Sequence, residues 1–454
     1  MMGARYRVQG TGCRVATFFC FACAMLMIAQ ITSAGTLTLQ ESLNIAFKNN
    51  PQILTSKEKV DIASAKMGQA GSGLLPQISA SYSSGKSYVQ PMTVTLPPSM
   101  GGGTFSTTPN EAADALSYSA TATQTLFAGG RTLQAISAAK AGYDVAGQDY
   151  IKTKNDVTFN VISSYFEILK AKKSLDTIND ALSSLEKHLR QTELFYKSGI
   201  SSKADLLRSQ TEIANANVSK ISAQMGLELA KLTFAANLGA NIGSDFDIQN
   251  IETSYFSEKE TSAPQLLKTA FNNRPDWISY NLGMRVAKDA ITYSYGSYLP
   301  VVMYQYSAGK NKSDYKNAGL KFDLDNWRSM IVASWNVFDG FNTANRIREA
   351  YATLNTAKAQ EQTLKDAINL DVKSSYLSLL GTKQKVEASM IAQELARKAL
   401  RLSEIAFASN TGSNLSYLEA LSAYFKAQTA YWSNIYDLEV AKAKINKVTG
   451  TAVY

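Results

Sequence analysis

The chain contains the same sequence pattern twice within its 454 residues. Pairs of residues 224 positions apart open the two halves: Leu43 with Leu267, Pro51 with Pro275, and Tyr82 with Tyr306. Pairs 211 positions apart follow: Phe127 with Phe338, Tyr165 with Tyr376, and Gly239 with Gly450. A period above 200 residues is too long for a solenoid repeat. The sequence therefore predicts two similar repeats, at 35–239 and 262–450, joined by an equatorial linker at 240–261.

The first 34 residues have the features of a signal peptide. Three arginines precede an apolar segment at 15–31, and small residues at 32–34 precede the expected cleavage site near Gly35. A transmembrane anchor is the alternative. It is disfavoured because the apolar run is short and no basic stop-transfer residues follow it.

Cysteine usage and charge exclude several kinds of site. The three cysteines, Cys13, Cys20 and Cys23, all lie in the predicted signal peptide, so we expect no disulfide and no cysteine-ligated metal in the mature chain. Lipid attachment at Cys20 or Cys23 would need a preceding Leu-small-small pattern, which both lack. Without residues 1–34, 43 basic residues stand against 37 acidic ones, a small excess that does not indicate nucleic-acid binding.

Each half contains a very long predicted helix. No proline occurs between residues 130 and 197. Apolar residues there follow steps of three and four or their multiples: Val161, Tyr165, Ile168, Leu175, Ile178, Leu182, Leu185 and Leu189. The second half matches this stripe, and further helices are predicted at 204–238 and 418–448. Because so narrow a stripe cannot bury itself in one globule, the helices must pack lengthwise against neighbours.

Four short segments alternate apolar and polar residues, as β-strands do. They lie at about 76–86, 115–127, 300–308 and 328–338. Each approaches the roughly 9 to 11 residues that a tilted strand needs to cross a bilayer, and Tyr and Trp recur as at membrane interfaces. We expect two antiparallel hairpins of membrane strands. The segments 90–110 and 310–326 are predicted to be their extracellular loops.

Four strands are too few to close a barrel, and an open edge in lipid would leave backbone groups unpaired. The chain must therefore oligomerise, and two copies would give eight strands whereas three would give twelve. The wide ring that the long helices need favours three. The predicted fold is mostly α with β: an internally duplicated coiled-coil tunnel of long helices, plus four membrane strands per chain that form a 12-stranded barrel in a trimer.

Several motifs occur in order in both halves. They are LQESLNIAFKNNP from Leu39 with LLKTAFNNRP from Leu266, LLPQIS with YLPVVM, and TLFAGGR with NVFDGFN. The first half also contains FYKSGISSKADLLRSQ from Phe195. In this combination the chain resembles the TolC-like outer-membrane efflux proteins over essentially its whole mature length. The resemblance implies a homotrimer in outer-membrane lipid, with a helical tunnel in the periplasm.

The family resemblance also implies partners and a function. The expected partners are a periplasmic adaptor protein and an inner-membrane pump, either an ABC transporter or a proton-driven pump. The protein would be a passive export duct for small-molecule efflux or type I secretion, and the sequence does not choose between these two uses. The alternative from another class is a trimeric coiled-coil surface scaffold or adhesin with a barrel anchor. Strands that occur twice, each time followed by helices, favour the duct.

The predicted helical tips supply the candidate functional residues. Gly199 and Asn410 are expected to adopt the left-handed conformation that ends a helix, and Ser202 can cap the next helix. With Leu207 and Leu418, these residues form the predicted adaptor-docking surface. Grooves between 196–207 and 407–418 would receive the partner.

A second set of tip residues is predicted to form the gate: Asp205, Glu419, Ser416, Phe407 and Gly412. Asp205 is expected in the first turn of its helix, facing either the pore or only the helix dipole. Phe407, Gly412 and Ser416 stand where members of the family commonly carry Tyr, Arg and Asp. We therefore expect a gate that is weaker or held by different contacts.

No enzyme chemistry is predicted, and no cofactor or metal is expected. Gly85-Lys86-Ser87 resembles the end of a phosphate-binding loop, but Ala80 replaces the first glycine. The motif also lies between a predicted strand and a loop, not between a strand and a helix as a phosphate-binding loop does. His188 is the single histidine of the chain and adjoins Leu189 of the apolar stripe. The pattern predicts that it is a surface residue.

Overall fold

A computed structural model describes residues 36–240, 246–251 and 262–451. The predicted signal peptide and most of the predicted linker at 240–261 lie outside the described residues. The helices and strands run in chain order as β1 (Thr36–Leu37), α1 (Leu39–Asn49), α2 (Pro51–Gly71), β2 (Gln77–Ser87), β3 (Thr93–Leu96), β4 (Gly103–Ser106), β5 (Ala113–Phe127), α3 (Arg131–Lys197), α4 (Lys203–Leu238), β6 (Asp247–Ile248), α5 (Ala263–Asn273), α6 (Pro275–Tyr295), β7 (Val301–Tyr315), β8 (Leu320–Ser334), α7 (Asn342–Ala408) and α8 (Asn414–Thr449).

The helices occur in pairs of equal length, as the duplication predicts. α1 and α5 have 11 residues each, α2 and α6 have 21, α3 and α7 have 67, and α4 and α8 have 36. At 1.5 Å per residue, α3 and α7 each extend about 100 Å. α3 packs against α4 and α8, and α8 packs against α7, so α4 and α7 lie at the two ends of this row.

The four long strands form one antiparallel sheet in the order β2-β5-β7-β8. Each half contributes one hairpin, and the contact between β5 and β7 joins the halves. The barrel is not closed within one chain, because β2 and β8 remain as edge strands. Elsewhere, β1 pairs with β6 in parallel, and β3 pairs with β4 inside the connection between β2 and β5.

The second hairpin differs from its sequence prediction. The structure extends it over 301–315 and 320–334, so the predicted limits of 300–308 and 328–338 are wrong, and most of the predicted loop 310–326 is strand. The physical reason is ion pairing across the hairpin: Lys310 Nζ lies 2.9 Å from an Asp323 carboxylate oxygen and 3.4 Å from one of Asp325. Apolar alternation cannot report strands that charged pairs hold together.

The two faces of the sheet differ in chemistry, because successive side chains of a strand point to opposite faces. We define the apolar face by residues that the strand register places on one side: Ile78, Ala80, Tyr82, Tyr118, Ala120, Ala122, Tyr304, Tyr306, Ala308, Trp327 and Ile331. The polar face carries mainly hydroxyl and amide side chains: Gln77, Ser79, Ser81, Ser83, Ser117, Ser119, Thr121, Thr123, Gln305, Ser307, Asn311 and Asn326. This division suits lipid on one side and a water-filled interior on the other.

Two glycines join the sheet to the helices. Gly129 follows β5 with a φ of 61°, and Gly296 lies in the turn between α6 and β7. A Cβ on Gly129 would overlap the carbonyl oxygen of Gly296, and a Cβ on Gly296 would overlap that of Gly129. Only glycine at both positions permits this approach of the two halves.

Candidate functional site at the helical tips

Two tight turns, at 198–202 and 409–413, join α3 to α4 and α7 to α8 at the ends of the long helices opposite the sheet. Gly199 has a φ of 73° and Asn410 a φ of 58°, so both adopt the left-handed conformation expected from the sequence. The amide of Ile200 donates to the Phe195 carbonyl at 2.8 Å, and the amide of Thr411 donates to the Ala406 carbonyl at 2.9 Å. These bonds satisfy carbonyl groups at the helix ends.

Ser202 caps α4 together with Asp205. The Asp205 amide donates to Ser202 Oγ at 3.1 Å, and the Ser202 hydroxyl donates to the Asp205 carboxylate at 2.6 Å. Hydrogen bonding from the Ser202 side chain lowers the pKa of Asp205. At the other tip, Ser413 caps α8 and Ser416 takes the place of the aspartate, with its amide donating to Ser413 Oγ at 3.0 Å. Only the first tip therefore has a carboxylate within its cap.

The remaining predicted gate residues have very different surroundings. Glu419 is exposed, whereas Phe407 is only 6% exposed and contacts the Phe195 ring at a centroid distance of 5.4 Å. A Cβ on Gly412 would lie 2.9 Å from the Ala406 Cβ. The arginine that the family commonly carries at position 412 would thus require the end of α7 to shift.

The predicted docking residues also differ in how much of each side chain is exposed. Leu207 is 53% exposed, and Ser202 and the two left-handed residues lie at the surface of the turns. Leu418 is 7% exposed, because it packs with Leu185 and Leu421 in the apolar cluster of the tip. The prediction that Leu418 lies on the docking surface of the turn is corrected on this ground: little of its side chain is exposed, and that part lies in the wall of a groove between α3, α4 and α8.

The prediction that His188 is a surface residue is wrong. Its side chain is 3% exposed, its ring stacks on Tyr417 at a centroid distance of 4.0 Å, and it lies 4.5 Å from the Phe407 ring. The buried face of α3 here follows Leu185, His188 and Thr192 rather than Leu189. Helix α8 covers this face, which single-helix periodicity cannot indicate.

Asn414, the first residue of α8, connects three helices through its amide. Its Oδ1 lies 2.5 Å from His188 Nε2 of α3 and accepts from the Ser209 hydroxyl of α4 at 3.3 Å. Its Nδ2 donates to the carbonyl of Asp205 at 3.0 Å. Asn414 is 4% exposed and Ser209 is 1% exposed, so these bonds are shielded from water. We call His188, Ser209 and Asn414 the tip network.

Burial sets the protonation of the rings in this cluster. It lowers the pKa of His188, although the hydrogen bond with Asn414 acts in the opposite direction. Burial also raises the pKa of Tyr417 to about 12, with a smaller contribution from the charge of Glu404. Both rings are therefore uncharged at neutral pH, in keeping with their apolar surroundings.

The duplication contained a signal that our reading of the sequence missed. At a spacing of 211, the counterparts of His188 and Asn414 are Ala399 and Lys203, and the counterpart of Tyr417 is Leu206. Three such departures at one end of the helices mark the contact between the two halves at which a polar network replaces the repeated pattern.

The described residues contain no group of three or more metal-ligating side chains that could hold an ion. Over the same ranges, no helix is both long and apolar enough to cross a membrane.

Comparisons with known proteins agree on one family. The family described as outer membrane efflux protein matches residues 42–240 and 266–451. The outer membrane protein TolC of Vibrio cholerae is 21% identical over 426 residues, which cover 91% of this chain and 90% of the relative. Among solved structures, VceC of Vibrio cholerae has a TM-score of 0.76 at 15% identity, covering 92% of this chain and 97% of its own. The CmeC channel of Campylobacter jejuni has a TM-score of 0.77 at 15% identity, with coverages of 91% and 85%.

Proposed function

This chain belongs to the outer membrane efflux protein family, and from that premise we propose that three copies form a continuous duct through the outer membrane and the periplasm. The general role of an export duct follows from the family. The trimer, the periplasmic position of the helices, and a cargo of small molecules or secreted proteins are our proposals.

The edges of the sheet are the observation that carries the proposal. β2 and β8 have no neighbour on their outer sides, and each unpaired backbone group in lipid costs several kcal/mol. Pairing β2 of one copy with β8 of the next removes every edge. Three copies give twelve strands around a lumen lined by the polar face, whereas two would give eight and a narrow interior.

The helices support the same ring. α4 carries exposed apolar residues at steps of three and four, and α7 carries a similar exposed stripe: Val218, Ile221, Met225, Leu229 and Leu232 on α4, and Ile391, Leu395, Leu402 and Ile405 on α7. Each is more than half exposed in the single chain. Because α4 and α7 end the helical row, these stripes meet when copies are arranged in a ring, and burying each side chain contributes roughly 1.5–3 kcal/mol.

We further propose that an adaptor protein or an inner-membrane pump docks at the tips. A groove of about 620 Å³ lies beside the tip network, between α3, α4 and α8. Apolar Ile178 and Phe425 line it together with Glu212 and Lys426. An amphipathic helical segment of a partner would fit such a groove.

Native mass in detergent and single-channel conductance in a planar bilayer test the duct. We expect a trimer with steady conductance. A stable monomer with a closed barrel would contradict the strand count. A trimer without conductance would instead favour the scaffold or adhesin.

Docking is tested with Gly199→Val, because a β-branched residue strains the left-handed turn while its Cβ meets no atom within 4 Å. We expect export to be lost and the trimer to remain. Asn410→Gly is the matched control, since glycine adopts the same conformation readily. Normal export by the Val variant would show that this turn does not dock a partner.

A further inference from the structure

The charged residues of the membrane sheet are distributed unevenly between its faces. The four long strands contain nine of them, and the register places eight on the side of the apolar face, towards the turn end of the sheet: Lys86, Asp114, Lys310, Lys312, Asp314, Lys321, Asp323 and Asp325. Arg328 alone lies on the polar face. It shares a cross-strand row with Ser307, Thr121 and Ser79.

No carboxylate neutralises Arg328 within the described ranges. Its side chain is exposed and forms no ion pair there, and its neighbours on the same face of β8 are Asn326 and Met330. The strand that would lie beside β8 in the closed ring is β2 of the next copy. The polar face of β2 consists of Gln77, glycine and serines, so it supplies no acidic partner.

The orientation of Arg328 follows from the chemistry of the two faces. Trp327, the preceding residue, is on the apolar face and is 74% exposed in the single chain, as a lipid-facing aromatic residue would be. Arg328 must then point in the opposite direction, into the lumen. Three copies around the axis place three permanent positive charges in a barrel whose other lumen-facing strand residues are uncharged.

We propose that Arg328 is a selectivity residue of the duct: a threefold ring of guanidinium groups that favours anionic solutes in the barrel. This inference rests on the proposed trimeric duct. The ring has the opposite sign to the carboxylates of Asp205 at the tips. Negatively charged cargo would be attracted at the outlet rather than at the inlet.

The reversal potential under a salt gradient measures this effect. In Arg328→Gln we expect the anion-to-cation permeability ratio to fall by about two- to fourfold at 0.1 M salt, and less at 1 M, where charges are screened over about 3 Å. Arg328→Lys keeps the charge and should keep the ratio. Wild-type protein without conductance would refute the duct itself. Conductance with the same ratio in the Gln variant would refute only the role of Arg328.

Cysteine substitution tests the orientation separately, since the chain has no cysteine after Cys23. Arg328→Cys should react with water-soluble thiol reagents. Attachment of a cationic group should restore the anion preference, and attachment of an anionic group should reverse it. Trp327→Cys, one residue away on the apolar face, is the matched control and should leave the selectivity unchanged under both reagents. An Arg328→Cys variant whose ion selectivity neither reagent changes would overturn the proposal. The same cysteine comparison serves as the test if the Gln variant fails to insert.

Discussion

The substitution Asn414→Ala removes the side chain that holds α8 against α3 and α4 at the tip. Ser209 keeps a partner, because its hydroxyl also lies 3.1 Å from the Asp205 carbonyl. His188 loses the acceptor for Nε2 while its ring remains packed against Tyr417 and Phe407. A stranded buried donor costs about 1–3 kcal/mol, and the lost contacts of the buried amide raise the total to about 2–4 kcal/mol.

A loss of this size would raise the population of the locally open tip by about 30- to 700-fold, since each 1.4 kcal/mol is a factor of ten. Hydrogen exchange of the backbone amides at 188–197 and 203–209 reports that population directly. We also expect a higher resting conductance, because the two helix pairs separate more readily.

The matched control is Lys203→Ala. Lys203 occupies the position of Asn414 in the first repeat and is also the first residue of its helix, but its side chain is exposed. Its removal should change the opening free energy by less than about 0.5 kcal/mol. Equal exchange rates in the two variants would refute the reasoning, because they would show that the tip network contributes nothing beyond the surrounding apolar packing.

Three further predictions concern the same chain. The tip should open more readily as pH falls from about 6.5 towards the lowered pKa of His188, because the open state binds the proton more tightly. The opening free energy should fall by up to about 1.4 kcal/mol per pH unit per chain. Hydrogen exchange measured against pH should show this dependence in the wild type and lose it in His188→Gln, and a flat wild-type profile would contradict the burial argument. Gly129→Ala should prevent stable trimers, since its Cβ would overlap the Gly296 carbonyl; normal yield of a heat-stable trimer on gels would disprove this. Asp205→Asn with Glu419→Gln should weaken any cation preference at the tips; unchanged reversal potentials would mean that both carboxylates serve only as helix-end charges.

The sequence by itself determined the elements of the fold to a large extent. The spacings of 224 and 211 predicted two halves, and the helices recur with the same lengths at these spacings. The steps of three and four indicated the long helices, and α3 begins and ends within a residue of the expected bounds. Alternation located the four strands, and the family resemblance is confirmed. These features were accessible because helix and strand periods are local properties of the chain.

Only the tertiary structure decided how those elements meet. The second hairpin extends beyond its apolar alternation because Lys310 pairs with aspartates on the neighbouring strand, which local hydropathy does not register. His188 is buried because Asn414 and Tyr417, more than 200 positions away in sequence, cover one particular side of α3. A periodic pattern shows that a helix has an apolar stripe, but contact with a second helix determines where burial begins and ends. Leu418 packs into the tip core for the same reason.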